Sequence, residues 1–438
     1  MKTDISRILM LPPDYIDAVN EQAEANLSFR EYARVEFLSG YDTFRTYRPP
    51  PLGMFDEAVM KGLTRSLPKF TKHLSLEMTQ NLDNTWGEST EWREVDLHTD
   101  VLTWVARLSS RIFLGTEWTT NQEWIRVSIN YTVDTFTAIA ICKFIPAPIR
   151  WMFVQWLPLC RKVRRDYRTC ERILTPVFKA RDAEIQAAQR EGRPPQLPDD
   201  SIEWFRSASK GRKYSQVDIQ IALQVAAIHT TSDLLNQAIL NLCANPEMME
   251  PLREEALRVL GQYGWQKLAL TELRLLDSFF KETQRLKPIN MASMHRVALT
   301  DVVLSNGTHI RKGEKMGIST HDMWSPEIYE NPEKFDGYRF LERRKLPGLE
   351  MKSQLVSTST DHMGFSHGKH ACPGRFFAAN EVKIAMIHLI LKYDMKISDP
   401  SLAQWGSYGV ALYTNPKAKI SIRARKPEID LEELAKAL

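Results

Sequence analysis

Cys372 stands in the run Phe365-Ser366-His367-Gly368-Lys369-His370-Ala371-Cys372-Pro373-Gly374-Arg375-Phe376-Phe377-Ala378, on a glycine-bearing loop just ahead of a helical stretch. Backbone amides at a helix N-terminus, with the positive end of the helix dipole, stabilise a thiolate and lower a cysteine pKa. Pro373 has no amide hydrogen, so the donors are expected from Gly374 onward. A single cysteine without context is usually a small, inert core residue. The loop around Cys372 reverses that reading and favours a metal-bound thiolate. His367 and His370 lack a second Cys-x-x-Cys half, which argues against a zinc knuckle.

Two further runs carry chemistry. In Glu282-Thr283-Gln284-Arg285 a carboxylate and a guanidinium lie three residues apart on one helical face. Glu31/Arg34, Glu123/Arg126, Glu203/Arg206 and Glu255/Arg258 share that spacing, and an arbitrary pair of this kind adds little stability. Ala226-Ala227-Ile228-His229-Thr230-Thr231-Ser232 sets small residues, an imidazole and hydroxyls inside an apolar helical pattern. Mid-helix threonines tend to bond back to the carbonyl four residues earlier, which bends a helix and opens a groove.

The elements that must position these groups are mostly helical. Residues 100–113 and 121–144 read as helices, and Ile145-Pro146-Ala147-Pro148 breaks the pattern. The polar, proline-rich residues 190–200 predict a mobile surface loop. Residues 215–242 predict one very long helix capped by Ser215 or its neighbours. A further helix is expected over 268–286, stopped by Pro288. Val302-Val303-Leu304 and His309-Ile310, joined by Ser305-Asn306-Gly307, read as a β-hairpin, and residues 413–423 as a last strand pair. The fold class is therefore mainly α with a minor β-sheet region.

Composition narrows the function. Hydrophobic content of 43% and aromatic content of 10% support a sizeable core. The 438 residues could form two or three average domains or one large helical domain. A net charge of +4 argues against a dedicated nucleic-acid binder. The cysteines at 142, 160, 170, 243 and 372 are few, odd in number and widely spaced, so a reducing compartment fits better than a disulfide framework. No stretch approaches the roughly 18 apolar residues of a membrane span, and the first residues do not read as a signal peptide. The basic run Arg161-Lys162-Val163-Arg164-Arg165-Asp166-Tyr167-Arg168 follows a tryptophan-rich segment. It reads first as a solvated helix face and second as a contact for acidic lipid.

The pattern Phe-x-x-Gly-x-x-x-Cys-x-Gly over residues 365–374 resembles the haem-binding signature of the cytochrome P450 family, and the resemblance extends over residues 11–425. Together with Ala-Ala-Ile-His-Thr-Thr-Ser it is most similar to filamentous-fungal members of secondary metabolism. The resemblance implies the cytochrome P450 fold, haem b (iron protoporphyrin IX) and Cys372 as the iron ligand. Phe365 would cover the sulfur, while Gly368 and Gly374 would leave room for the flat macrocycle. His370 and Arg296 would meet the propionates, although many relatives have arginine at the position of His370. Glu282, Arg285 and Arg339 would form a buried structural network.

The family's oxygen-activation segment falls on Ala226 to Ser232, with Thr230 as the proton-relaying hydroxyl and Thr231 beside it. His229 stands where the family usually has an acid, so it, or water beside Asp233, becomes the expected proton source. Ala226, Ala227, Ile289, Met291, Ala292 and Val410 are the expected substrate-lining residues, and their apolar character implies a lipophilic substrate.

By the same resemblance the activity is a monooxygenase reaction on a terpenoid or meroterpenoid, using O2 and electrons from an NADPH-cytochrome reductase. Lys369 and Arg375 are candidates to face that reductase. The expected location is the cytoplasmic face of the endoplasmic reticulum, with peripheral membrane contact and no transmembrane segment in this chain. A reductase-independent haem-thiolate isomerase or dehydratase, or an inactive truncated haem-binding relative, is the alternative. Leu11-Pro12-Pro13-Asp14-Tyr15-Ile16-Asp17 and Leu27-Ser28-Phe29-Arg30 resemble a region that follows an anchor, a first helix and two strands in full-length relatives. Residues 1–438 are thus expected to be one domain lacking those elements, with a sheet edge left unpaired.

Overall fold

A computed structural model of the chain describes residues 7–436, and it is mainly helical. The strands are β1 (Leu9–Leu11), β2 (Leu27–Ser28), β3 (Arg93–Val95), β4 (Ala292–Ala298), β5 (Val302–Val303), β6 (His309–Ile310), β7 (Lys315–Ser319), β8 (Tyr393–Ile397), β9 (Gly406–Tyr408), β10 (Ala411–Tyr413) and β11 (Ile420–Ala424). The contacts group the chain into two compact units. One comprises the residues up to Phe29, Leu67–Val105 and Thr230 onward; the other comprises Arg30–Ser66 and Ala106–His229.

The first unit contains every described strand. Its largest sheet has the order β1-β7-β4-β2, with β1 parallel to β7 and the other pairs antiparallel. The register of β4 against β7 shifts between Ser293 and Arg296, and Met294 within that shift has φ +50. Leu11, Ile16, Val19, Leu27, Met294, Ala298, Met316 and Ile318 pack into one buried cluster on this sheet. Both edge strands, β1 and β2, come from the N-terminal segment.

The expected hairpin forms as β5 and β6. The expected strand pair over 413–423 does not. β10 pairs with β9, whereas β11 lies between β3 and β8. Residues 268–286 are likewise not one helix, because Leu273, at φ −74 and ψ 70, separates Lys267–Glu272 from Arg274–Leu286. The cause lies far away in sequence. Both carboxylate oxygens of Glu255 accept amides of the second helix's first turn, from Leu275 at 2.7 Å and Leu276 at 2.9 Å, which lets that helix start afresh.

The second unit is helical. Gln122–Lys143 starts on Asn121, whose side chain accepts the Trp124 amide, and the expected break follows, with Ala147–Trp156 beginning behind Pro146. Pro158–Glu191 takes up the first two residues of the stretch read as a loop, ending at Gly192 with φ 67. The buried Asp200 carboxylate caps Ser201–Ser209 and holds Arg181 through two bonds. The long helix is Gln216–Ala244, within two residues of the expected bounds, and the Ser215 hydroxyl accepts the Asp218 amide. Among the described residues no helix is long and apolar enough to cross a membrane.

Candidate active site

Cys372 lies two residues ahead of Gly374, which caps the helix Arg375–Lys392. Its amide donates to the Phe365 carbonyl at 2.9 Å, which closes the loop on itself. Gly368 has φ +71, and a Cβ there would come within 2.2 Å of Asn20 Oδ1. Backbone conformation and close approach therefore both demand glycine at 368. At Gly374 a Cβ would meet only the Cys372 sulfur, at 3.9 Å, an ordinary contact, and φ is −83, so nothing within the chain demands glycine there.

Burial pushes the Cys372 thiol up from its ordinary value, while the amides of Gly374 and Arg375 and the Arg375 charge pull it back. A coordinating metal would tip that balance to the thiolate outright. Arg375 is committed locally, donating to the carbonyls of Cys372 at 2.7 Å and Val356 at 3.0 Å. Lys369, the other cation considered for a reductase, is exposed.

Arg296 is 4% exposed. Its Nη1 donates to the His295 carbonyl at 2.8 Å, and its guanidinium lies 5.9 Å from the centre of the Phe29 ring. Burial lowers its pKa to about 10, against the opposing charge of Glu24. The His370 ring lies tilted 5.2 Å from the same Phe29 ring and sets Nε2 3.4 Å from Glu24 Oε2. Arg296 and His370 thus both face the Glu24 carboxylate. A cysteine sulfur with a guanidinium and an imidazole in the same unit is a donor set that fits a haem and its propionates.

Glu282, Arg285 and Arg339 form the expected network. Arg285 donates from Nε to Oε2 at 2.7 Å and from Nη2 to Oε1 at 2.9 Å, and Arg339 Nε reaches Oε1 at 3.0 Å. Both Glu282 and Arg285 are fully buried. Their remaining donors go to backbone carbonyls: Arg285 to Met323 and Pro332, Arg339 to Glu330, Asn331 and Lys334. The Asp336 amide adds a fourth donor on the carboxylate. Sequence spacing pointed to the charges but not to these carbonyls, of which the two that Arg285 reaches lie 38 and 47 residues away.

On the long helix, Ala226 and Thr230 are exposed, one turn apart, while Val225, Ile228, Thr231 and Ser232 are buried. Thr230, and not Thr231, is therefore the threonine on the exposed face of this helix. His229 donates from Nε2 to the Ile129 carbonyl at 2.9 Å, so that nitrogen is engaged in a bond to the backbone. Of the expected lining residues, Ile289, Met291, Val410 and Ala227 are half-buried, but Ala292 is 1% exposed within β4. Ala292 packs in the sheet and offers no surface to a ligand.

Asp233, beside which a proton-delivering water was expected, is instead committed to protein. It pairs with the buried ammonium of Lys287 and accepts the Thr414 amide at 2.9 Å. Neither partner is signalled by local sequence, since they lie 54 and 181 residues away.

The cytochrome P450 family model matches residues 57–419. Cytochrome P450 monooxygenase esdpI of Penicillium shearii is 41% identical over 434 residues, covering 98% of this chain and 84% of the relative. Cytochrome P450 monooxygenase hepE of Aspergillus oryzae is also 41% identical, over 96% of this chain and 77% of its own length. Cytochrome P450 monooxygenase 1 of Gibberella fujikuroi is 39% identical, with 97% of each chain covered. Among solved structures, retinoic-acid-bound cyanobacterial CYP120A1 has a similar fold, with a TM-score of 0.72 over 94% of this chain and 88% of its own at 16% identity.

Proposed function

The chain belongs to the cytochrome P450 family and is a monooxygenase of that family, and from that premise we propose that it oxidises a lipophilic secondary metabolite of the terpenoid or meroterpenoid class. In this reading haem b is the cofactor, and a flavoprotein reductase delivers electrons from NADPH. The observation that carries the reading is Cys372, set two residues ahead of the N-cap glycine of the helix Arg375–Lys392 on a loop closed by its own amide bond to the Phe365 carbonyl.

When bound, the haem would supply the activation of dioxygen, one oxygen atom entering a substrate C–H bond and the other leaving as water. Cys372 would hold the iron, and the amides of Gly374 and Arg375 would steady negative charge on its sulfur. Arg296 and His370 would hold the propionates. Thr230 would hold and pass a proton at Oγ1, on the helix face it shares with Ala226. Ile289, Met291 and Val410 would orient an apolar substrate and keep water from it.

The same reading places the protein on the cytoplasmic face of the endoplasmic reticulum. The helix Ala147–Trp156 exposes Ile149, Trp151, Met152, Phe153 and Trp156, with Phe144 just before it. Arg161 and Arg164 donate to carbonyls near its C-terminus. Aromatic residues flanked by cations suit a lipid headgroup layer.

The test is turnover of a terpenoid panel by the purified holoprotein with reductase, NADPH and isotope-labelled dioxygen. Label in the product supports the reading. Product formed without reductase, carrying no label, would replace it with an isomerase or dehydratase.

A further inference from the structure

Asp233 is three residues beyond Thr230 on the long helix, and its carboxylate gathers two distant segments. Lys287 closes the helix Arg274–Leu286, immediately ahead of Pro288 and the segment 289–291. Its ammonium is 1% exposed and pairs with Asp233 Oδ2. Thr414 follows β10, at the foot of the hairpin that carries Gly409 and Val410. Its amide donates to Asp233 Oδ1 at 2.9 Å, and its hydroxyl to the Asp233 carbonyl at 3.3 Å.

The two segments are also stitched to each other. The Met291 amide donates to the Val410 carbonyl and the Leu412 amide to the Ile289 carbonyl, each at 2.8 Å, with Asn290 bridged to Ala411. Ile289, Met291 and Val410 therefore move as one piece. That piece is tied to the Thr230 helix at its two ends by a single carboxylate.

A second polar contact continues the tie. The Thr414 hydroxyl lies 3.4 Å from Gln237 Oε1, Gln237 Nε2 donates to Asn241 Oδ1 at 3.0 Å, and Asn241 Nδ2 donates to Thr283 Oγ1 at 3.2 Å. Asp233, Gln237 and Asn241 recur every four residues, so one face of the long helix is reserved for fastening these segments. Burial alone lowers the Lys287 pKa, and Asp233 is the group that opposes it. Loss of the carboxylate would leave an ammonium in a dry site, free to deprotonate or swing away.

We propose that Asp233 is a positioning residue that sets the distance between the substrate-lining piece and the oxygen-side face of the long helix, and so fixes the size and shape of ligand the site accepts. The inference rests on the proposed lining role of Ile289, Met291 and Val410.

The test uses two iron-binding azoles of different reach, titrated into the holoprotein by optical difference spectroscopy. Imidazole binds iron without reaching the lining segments, whereas clotrimazole carries three aryl groups that must pack against them. In Asp233→Asn, which keeps an acceptor for the Thr414 amide but loses the Lys287 charge, clotrimazole should weaken about tenfold and imidazole stay within about twofold. Lys287→Gln should show the same selective loss, and the double variant should be no worse than either single one. Thr414→Val, which removes no charge, should give a smaller selective loss and serves where the charge variants hold no haem. Clotrimazole affinity unchanged in every variant that binds haem, or both azoles weakening together, would overturn the proposal. Wild-type protein that binds haem and gives no azole shift would instead overturn the assignment of the site itself.

Discussion

The Cys372 loop with the Glu282 network, and the stretch 226–231 of the long helix, differ in exposure. In the first region the Glu282 carboxylate takes four donors, Arg285 and Arg339 also bind five backbone carbonyls, and Arg375 binds two more. Along 226–231, Ala226 and Thr230 stand exposed among buried and half-buried neighbours. The first region is built to hold one geometry whatever the substrate. The second keeps Thr230 exposed while Ile228 and Thr231 are buried.

Breaking the first region should have the larger consequence. Glu282→Ala strands two buried guanidiniums at once, and losses of about 3–5 kcal/mol are usual when one partner of a buried pair is removed. The expected outcome is loss of haem and of cooperative unfolding together, read from the holoprotein yield and a urea melt. A stable, haem-loaded Glu282→Ala protein would abolish the contrast.

In the second region the effect should fall on chemistry and leave the fold intact. Thr230→Ala should lower product formed per NADPH consumed roughly tenfold, whereas Thr231→Ala, whose hydroxyl is buried, should stay within about twofold. Equal coupling in the two variants would show that exposure of the hydroxyl is not what matters.

The smallest effect is a pH dependence on the Cys372 side. Lys281 is fully buried, and desolvation lowers its pKa to about 7 despite the opposing charges of Asp277 and Asp361. Its nitrogen donates to the carbonyls of Gln354 and Ser357, which a neutral amine also satisfies. Between about pH 7 and the ordinary lysine value of about 10.4, the unfolded chain holds a proton that the folded chain lacks. Stability should therefore rise with pH across that window, by at most about 1.4 kcal/mol per pH unit, and be flat in this respect below it. The difference in urea midpoint between wild type and Lys281→Met, followed from about pH 7 to about pH 9, isolates the contribution. A difference that does not change with pH would mean that Lys281 stays charged.

Legibility in the sequence follows the same division. Cys372, the Glu282 network and the long helix are carried by short-range patterns, a ten-residue motif, an i,i+3 pair and an apolar run without breakers. What depends on partners chosen across long sequence separations was missed. Glu255 restarting a helix at Arg274, Thr414 and Lys287 meeting at Asp233, and β11 choosing β3 and β8 over β10 are all of this kind. Each arises from packing and leaves no local periodicity to read. Ala292 fell to the same limit, since the register of β4 decides which of its residues are buried.

The central claim is that Cys372 supplies a thiolate to a haem iron. Its most direct test is the absorption spectrum of the reduced, carbon-monoxide-bound holoprotein, with Cys372→Ser beside it. The account predicts the long-wavelength Soret band of a thiolate-ligated haem in the wild type and its loss in the variant. Haem uptake by the wild type without that band, or the same band persisting in Cys372→Ser, would contradict it.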